Sequence, residues 1–322
     1  MGDRPDPSRP SRSSRATSRD DSSTQTAAPT ARRTTGSVLP FSSQVRIDVS
    51  ALSHAGHLRE NNEDQFFVTK MSRALETMLT SLPSGDVPER VEEVNYLLIV
   101  ADGMGGHAAG ELASRLAISA LVSLALDIPD WMLRLDSEAA SAEAERRARD
   151  VVRQVGSVIF KKGREDSALG GMGSTLTAAR SLGRDLLIAH VGDSRAYLCR
   201  AGGLHRLTKD HTYAQMLVDN GSLQACDVPS SGMGHILTNA LGGSNEHVEV
   251  DIDFLRLEDG DRLLLCSDGL TDLVDDDTIA QTLAGAASSA GVCAQLVQLA
   301  LDRGGRDNVT VIVAAYTFPD QH

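Results

Sequence analysis

The chain's hydrophobic positions divide it into an unpatterned leader and a long patterned body that starts near Gln44. Val45, Ile47 and Val49 alternate with polar neighbours, the period of a half-buried strand, and residues 51–57 read as a second strand. A polar, charge-dense stretch, Leu58 to Asp64, precedes the apolar Phe66, Phe67 and Val68. Residues 71–93, rich in charge, Ser and Pro, read as a surface hairpin or short helix. Leu97, Leu98, Ile99 and Val100 form a continuous apolar run, as a strand buried on both faces would. It ends at Ala101-Asp102-Gly103, and a helix is predicted to open near His107 or Ala108.

Leu112, Leu116, Ala120, Leu121 and Leu124 then recur at helical spacing. A second long helix is predicted over 137–161, its buried face marked by Val151, Val152, Val155, Val158 and Ile159. Four strand-like runs follow at 174–179, 185–191, 195–200 and 204–207, with the tight Gly192-Asp193-Ser194 between the second and third. Residues 209–243 differ in character: a short helix over 213–220, then Gly-, Ser- and Pro-rich sequence. They read as a mobile flap or a plain surface insertion. The chain closes with strands at 248–254 and 262–266, helices at 276–284 and 289–303, and a strand at 309–316. Strands outnumber helices and many are joined by short turns, which indicates an antiparallel α+β layering rather than a parallel doubly wound sheet.

Composition narrows the function classes. At 322 residues and 41% hydrophobic content a sizeable core is available, and with 3% aromatics that core is aliphatic. Few aromatics and a net charge of −13 argue against nucleic acid and anionic membranes as partners. Residues 1–43 hold seven Arg against four Asp and little to bury, so a disordered Arg/Ser/Pro-rich tail is expected there, with one folded domain over 44–318. The four cysteines, Cys199, Cys226, Cys266 and Cys293, form no CxxC pair. The most apolar helix, residues 112–126, is interrupted by Arg115 and short for a membrane span, and the N-terminus has no apolar signal stretch. A cytoplasmic monomer is the expectation.

The candidate chemistry lies at strand ends. Asp102-Gly103 ends one apolar strand, and Asp268-Gly269 ends another. Asp307 stands just before the last apolar run and Asp193 in the turn after another. Brought together, such acids would repel one another unless a cation sat between them. Arg59 beside Glu63 and Asp64 reads either as a solvated turn or as a phosphate clamp with metal-facing acids.

In order, RENNEDQ, VADGMGGHAAGE, GMGSTL, VGDSRAY, LCSDGLTD and GRDNVT resemble the type 2C (PPM) metal-dependent protein phosphatases, with DGMGGH in the bacterial form. The resemblance spans roughly residues 44–318. It implies an αββα sandwich of two antiparallel sheets flanked by helices, with the flap at about 209–243. It implies two Mn²⁺ or Mg²⁺ ions held by Asp64, Asp102, Asp268, Asp307 and the Gly103 carbonyl, and a third, weaker ion held by Asp193 and Asp272. Glu63 would orient water and Arg59 would bind the substrate phosphate. His107 stands three residues beyond Met104, where many eukaryotic relatives carry a histidine. It is either the general acid or a helix cap, with metal-bound water as the substitute acid. The implied reaction is in-line attack by a metal-bridging water on phosphoserine or phosphothreonine, with bacterial Ser/Thr kinases and their substrates as partners. A small-molecule phosphoesterase using the same ions and a non-catalytic phospho-binding module are the competing readings.

Overall fold

The computed structural model describes residues 45–126, 138–285 and 288–318; the expected tail lies outside the described residues. Twelve strands among them run β1 Arg46–His54, β2 Asp64–Glu76, β3 Arg90–Met104, β4 Gly173–Ser174, β5 Leu176–Leu182 and β6 Asp185–Val191. The rest are β7 Arg195–Arg200, β8 Gly203–Arg206, β9 Leu241–Gly242, β10 Asp251–Arg256, β11 Arg262–Cys266 and β12 Val309–Thr317. The helices are α1 His107–Leu126, α2 Glu138–Glu165, α3 Tyr213–Asp219, α4 Val228–Ser231, α5 Asp268–Thr271, α6 Asp276–Ala284 and α7 Ser289–Asp302.

The strands form two antiparallel sheets. One has the order β1-β12-β11-β7-β8; the other runs β10-β6-β5-β3-β4-β9, with β2 also paired to β3. Successive residues of β3 explain why its apolar run is unbroken. Leu97, Ile99 and Ala101 face a core shared with α1 and α2, while Leu98 and Val100 face the space between the sheets. In β11, Leu263 and Leu265 face that same interior, and Leu264 and Cys266 face α6 and α7. Both faces of each sheet are thus covered, giving the helix–sheet–sheet–helix layering the resemblance implies. Each fully buried Leu, Ile or Val contributes about 1.5–3 kcal/mol, so three such clusters make the sandwich a rigid frame for whatever sits at its end.

Three details differ from the sequence reading, and one of its open alternatives is decided. Residues 46–54 form one strand, because the ladder to β12 is continuous from Arg46↔Thr317 to His54↔Val309. Of the two readings for 71–93 the hairpin holds: its arms, 71–76 and 90–93, continue the β2–β3 ladder to Glu76↔Arg90. Backbone pairing there persists with little apolar surface. Val248 and Val250 precede their strand and pack into the core with α2, whose Arg153 and Arg149 donate to their carbonyl oxygens at 3.4 Å. Residues 108–126 of α1 are apolar and long enough to match a membrane span. Yet Ala109, Ala113, Ala117 and Leu121 lie in the core against the sheet, so the helix is read as a covering layer.

Candidate active site

The acids meet at one end of the sandwich. Asp64 opens β2 and stands directly opposite Asp102 near the end of β3. Like charges in directly opposed positions destabilise a strand pair, so this register requires a reason. Asp64 is 2% exposed. Its Oδ2 accepts a hydrogen bond from Ser267 Oγ at 2.7 Å, while its buried Oδ1 has no donor. Ser267 in turn accepts from the Thr310 N–H at 2.9 Å, which locks β11 to β12 immediately before Asp268.

Other residues of the motifs hold the acids in place. The Asp102 N–H donates to Thr175 Oγ1 at 3.0 Å, and the Asp102 carbonyl accepts from the Thr175 N–H at 2.8 Å and Ser174 Oγ at 3.0 Å. Gly103 donates to the Glu63 carbonyl at 3.2 Å. A Cβ at Gly103 would overlap the carbonyl oxygen of Gly110, so α1 can approach the strand end only if this residue is glycine. Asn308 pins the preceding loop: its Oδ1 accepts from the Glu63 N–H at 2.7 Å, and its Nδ2 donates to the Ala55 and Asn61 carbonyls at 2.9 Å. Asp307 beside it accepts from Arg59 Nη2 at 2.6 Å.

The electrostatics show that the acids are mutual neighbours. Burial pushes the Asp102 carboxyl well above its usual range, and the charges of Asp64, Asp268, Asp193 and Asp307 push it further. Burial likewise raises Asp268, with Asp193 and Asp272 adding to it. Asp64 is raised to about 6 by burial, against the lowering effect of its Ser267 hydrogen bond. Asp193, in the β6–β7 turn, is raised to about 7 by burial and by Asp210. Among the described residues, no Lys or Arg forms an ion pair with Asp64, Asp102, Asp193 or Asp268. Buried carboxylates with an orphaned oxygen and no protein cation fit a hard divalent ion, which takes carboxylate, carbonyl and water oxygens.

Above the acids is a cleft of about 1280 Å³. Asp102, Gly103, Asp193, Asp268, Asp272 and Asp307 line one side, with Arg59 and Glu63 at the same wall. The 209–243 segment also lines the cleft, through Gln215, Val218, Val228, Pro229, His235 and Leu237 among others. His235 Nδ1 is 3.3 Å from Asp272 Oδ2, and ligand atoms of His235, Asp268 and Asp272 lie within 4.8 Å of one another. The structure therefore gathers Arg59, Glu63, Asp64, Asp102, Gly103, Asp193, Asp268, Asp272 and Asp307 at one place. His107 is the first residue of α1; the expectation for its side chain lies outside what is described.

Sequence reasoning passed over Ser267, Thr175, Asn308 and His235. The first three lie inside motifs already singled out; for Ser267 the available signal is a hydroxyl just after an otherwise apolar strand. His235 stands alone in a Gly- and Ser-rich stretch and carries none.

Comparison with known proteins agrees with this geometry. The family described as "Protein phosphatase 2C" matches residues 81–300. The serine/threonine protein phosphatase PstP of Mycobacterium tuberculosis is 43% identical over 222 residues, which are 68% of this chain and 40% of PstP. The matched part thus spans under half the length of that relative. The serine/threonine phosphatase stp of Listeria welshimeri is 35% identical over 217 residues, 67% of this chain and 83% of that protein. A crystal structure of the catalytic domain of PstP in complex with two manganese ions superimposes with a TM-score of 0.66 at 36% identity, covering 85% of this chain and 99% of that one. On the match to its sequence profile, the sheet order and the likeness to these relatives, the chain belongs to the protein phosphatase 2C family.

Proposed function

We propose that the chain hydrolyses phosphoserine and phosphothreonine in proteins, and that it depends on Mn²⁺ or Mg²⁺ to do so. The observation that carries this reading is the set of buried and half-buried, uncompensated carboxylates at the cleft, with Asp64 Oδ1 lacking any donor. Asp64, Asp102, Asp268, Asp307 and the Gly103 carbonyl would hold two ions; Asp193 and Asp272 would serve a third. When bound, such ions supply water of lowered pKa and positive charge against phosphoryl oxygens.

The chain's own residues do the rest. Arg59 is 55% exposed in its pair with Asp307, so its guanidinium can swing to a phosphate and grip two oxygens at once. The Glu63 backbone is fixed at both its N–H and its carbonyl, which sets its carboxylate beside Gly110 at the cleft wall. There it can accept a proton from an attacking water. Cys266, at the end of β11, is no candidate nucleophile: burial pushes its thiol up to about 12, far from a nucleophilic thiolate. The flap lines the same cleft of about 1280 Å³, which has room for more than a small ester. Phosphoproteins modified by bacterial Ser/Thr kinases are the partners this reading favours.

The test is phosphate release from a phosphothreonine peptide and a phosphotyrosine peptide, each with Mn²⁺ and with EDTA. Mn²⁺-dependent release from phosphothreonine, with little from phosphotyrosine, is expected. No release from either peptide alongside turnover of a small phosphoester would transfer the assignment to a small-molecule phosphoesterase.

A further inference from the structure

The flap is attached through a narrow neck. The Thr238 N–H donates to the His211 carbonyl at 2.8 Å and the Tyr213 N–H to the Ile236 carbonyl at 2.8 Å; Thr212 and Leu237 form a β-bridge between them. His211 stands where this neck meets the core. Its backbone N–H donates to the Gly192 carbonyl at 2.7 Å. Its ring nitrogen Nδ1 accepts from the Gly192 N–H at 3.2 Å and from Asn239 Nδ2 at 2.8 Å. Asn239 is oriented by Glu249, whose N–H donates to Oδ1 at 3.2 Å and whose carbonyl accepts from Nδ2 at 2.7 Å. With Nδ1 taken by two donors, the proton sits on Nε2 and is donated to Asp251 Oδ2 at 3.0 Å.

One imidazole thus joins four pieces of chain: the turn that carries Asp193, the ingoing and outgoing arms of the flap, and edge strand β10. Behind it His190 does the same for the start of the flap. The His190 ring centroid is 5.0 Å from that of His211, and its Nε2 donates to the Lys209 carbonyl at 3.0 Å. Burial, helped by His211, pushes His190 down to about 4, so it stays neutral and the bond persists. Gly192 must remain glycine here, with φ of +109° and the Thr175 side chain against its α-carbon. At this position the turn therefore offers the neck only its backbone.

We propose that His211 is a positioning residue that keeps the flap wall and the Asp193 turn in a fixed mutual relation, so that a phosphoprotein segment in the cleft meets both in register. This rests on the proposed phosphatase activity. His211 touches neither substrate nor ion. Removing its ring strands the Gly192 N–H and the Asn239 amide, which must then open to water or find new partners. The loss should fall on substrates long enough to touch the flap, and should spare a small ester that needs only the acids.

The test compares His211→Ala, His211→Asn and Asn239→Ala with the wild-type chain. Steady-state kinetics use a phosphothreonine peptide and p-nitrophenyl phosphate with Mn²⁺, and amide hydrogen exchange is followed across 190–193, 209–214 and 236–240. For His211→Ala, KM for the peptide is expected to rise about tenfold and the neck amides to lose about tenfold in protection. Turnover of p-nitrophenyl phosphate should stay within about threefold. His211→Asn, which keeps an acceptor at the δ position, should recover most of both, and Asn239→Ala should follow His211→Ala in milder form. Unchanged exchange at the neck in His211→Ala, or in Asn239→Ala should the first not fold, would overturn the proposal. So would equal losses on both substrates without rescue by Asn. Exchange is read without turnover, so a chain inactive on every ester but loosened at the neck would count against the phosphatase reading and leave the positioning role standing.

Discussion

Asp64, buried, and Asp210, half-buried, lie at the same end of the sandwich, and the protein treats them in opposite ways. Asp210 is met by Arg195 through two bonds, Nε to Oδ1 at 3.0 Å and Nη2 to Oδ2 at 2.7 Å, and by Arg206. Burial pushes its carboxyl up, but the two guanidiniums overcome this and hold it below the usual range. Asp261, whose side chain is 1% exposed, is likewise gripped by Arg200. Asp64 receives one hydroxyl and is left with an orphaned oxygen and a raised pKa, as Asp102, Asp193 and Asp268 also have raised pKa values. Where an acid serves only the fold, the sequence supplies the cation. Where it supplies none, the cation is to come from outside, and the uncompensated cluster costs stability until it does.

The largest effect that follows is at Asp102, which feels Asp64, Asp268, Asp193 and Asp307. Asp102→Asn changes little volume and removes one charge. Phosphate release should fall roughly a thousandfold, since a charge acting on the reacting phosphoryl is lost. In EDTA the same variant should melt at a higher temperature than the wild-type chain, because repulsion has been relieved. Wild-type turnover would remove Asp102 from the site. A lower melting temperature in EDTA would mean that the cluster is not mutually repulsive.

Next is the compensated region. Asp210→Asn leaves Arg195, 22% exposed, without its carboxylate. Breaking a buried pair from one side costs about 3–5 kcal/mol, and here the loss should be near the lower figure because Tyr197 Oη remains 3.1 Å from Arg195 Nη1. Urea unfolding with and without Mn²⁺ measures it. A loss of stability that disappears in EDTA would show that Asp210 belongs to the ion-binding set after all.

The contrast was only partly legible in the sequence. The strands ending in Asp102 and Asp268 can be read because each is buried on both faces, which makes an uninterrupted apolar run that stops abruptly at Asp-Gly. Arg59 to Asp64 is legible as a charge-dense loop. Nothing in the order of residues tells which aspartate has an arginine across from it. Arg195 and Asp210 are fifteen residues apart and meet only through the β7–β8 hairpin and the return of the chain. Nor can the sequence show that His211 and Asn239, at opposite ends of a segment with no clear period, close on the same turn. Pairings made by tertiary approach leave no periodic trace.

A smaller effect separates the two regions by pH. Asp64 and Asp193 have folded-state pKa values of about 6 and about 7, above the ordinary carboxylate value. The folded, ion-free chain therefore binds protons that the unfolded chain has released, and its stability falls as pH rises from about 4 to about 7. Asp210, held low, contributes stability that is complete above its unfolded pKa and is lost only in acid. In EDTA the melting temperature should thus drop between about pH 5 and pH 8, and Mn²⁺ should flatten the slope. A melting temperature that rises over that interval in EDTA would contradict the assignment of these acids as uncompensated.

The finest version of the comparison involves two aspartates three residues apart. Asp272 ends α5 and lines the cleft; burial raises its carboxyl despite His235 and Arg195. Asp275 caps α6. Its carboxylate accepts from the Thr278 N–H at 2.9 Å, Thr278 Oγ1 at 2.8 Å and Arg303 Nη1 at 3.0 Å, and those bonds, the Thr278 N–H first, hold it down at about 2. Asp275→Ala should lower the melting temperature by a few degrees, as the loss of a good N-cap does, and leave Mn²⁺ affinity and turnover unchanged. Asp272→Ala should do the reverse: no loss of stability in EDTA, and weaker binding of the last Mn²⁺ in a calorimetric titration. If Asp275→Ala weakens Mn²⁺ binding as much as Asp272→Ala, the acids at this end do not sort by whether the chain supplies their partner. The division between compensated and uncompensated carboxylates would then have to be drawn elsewhere.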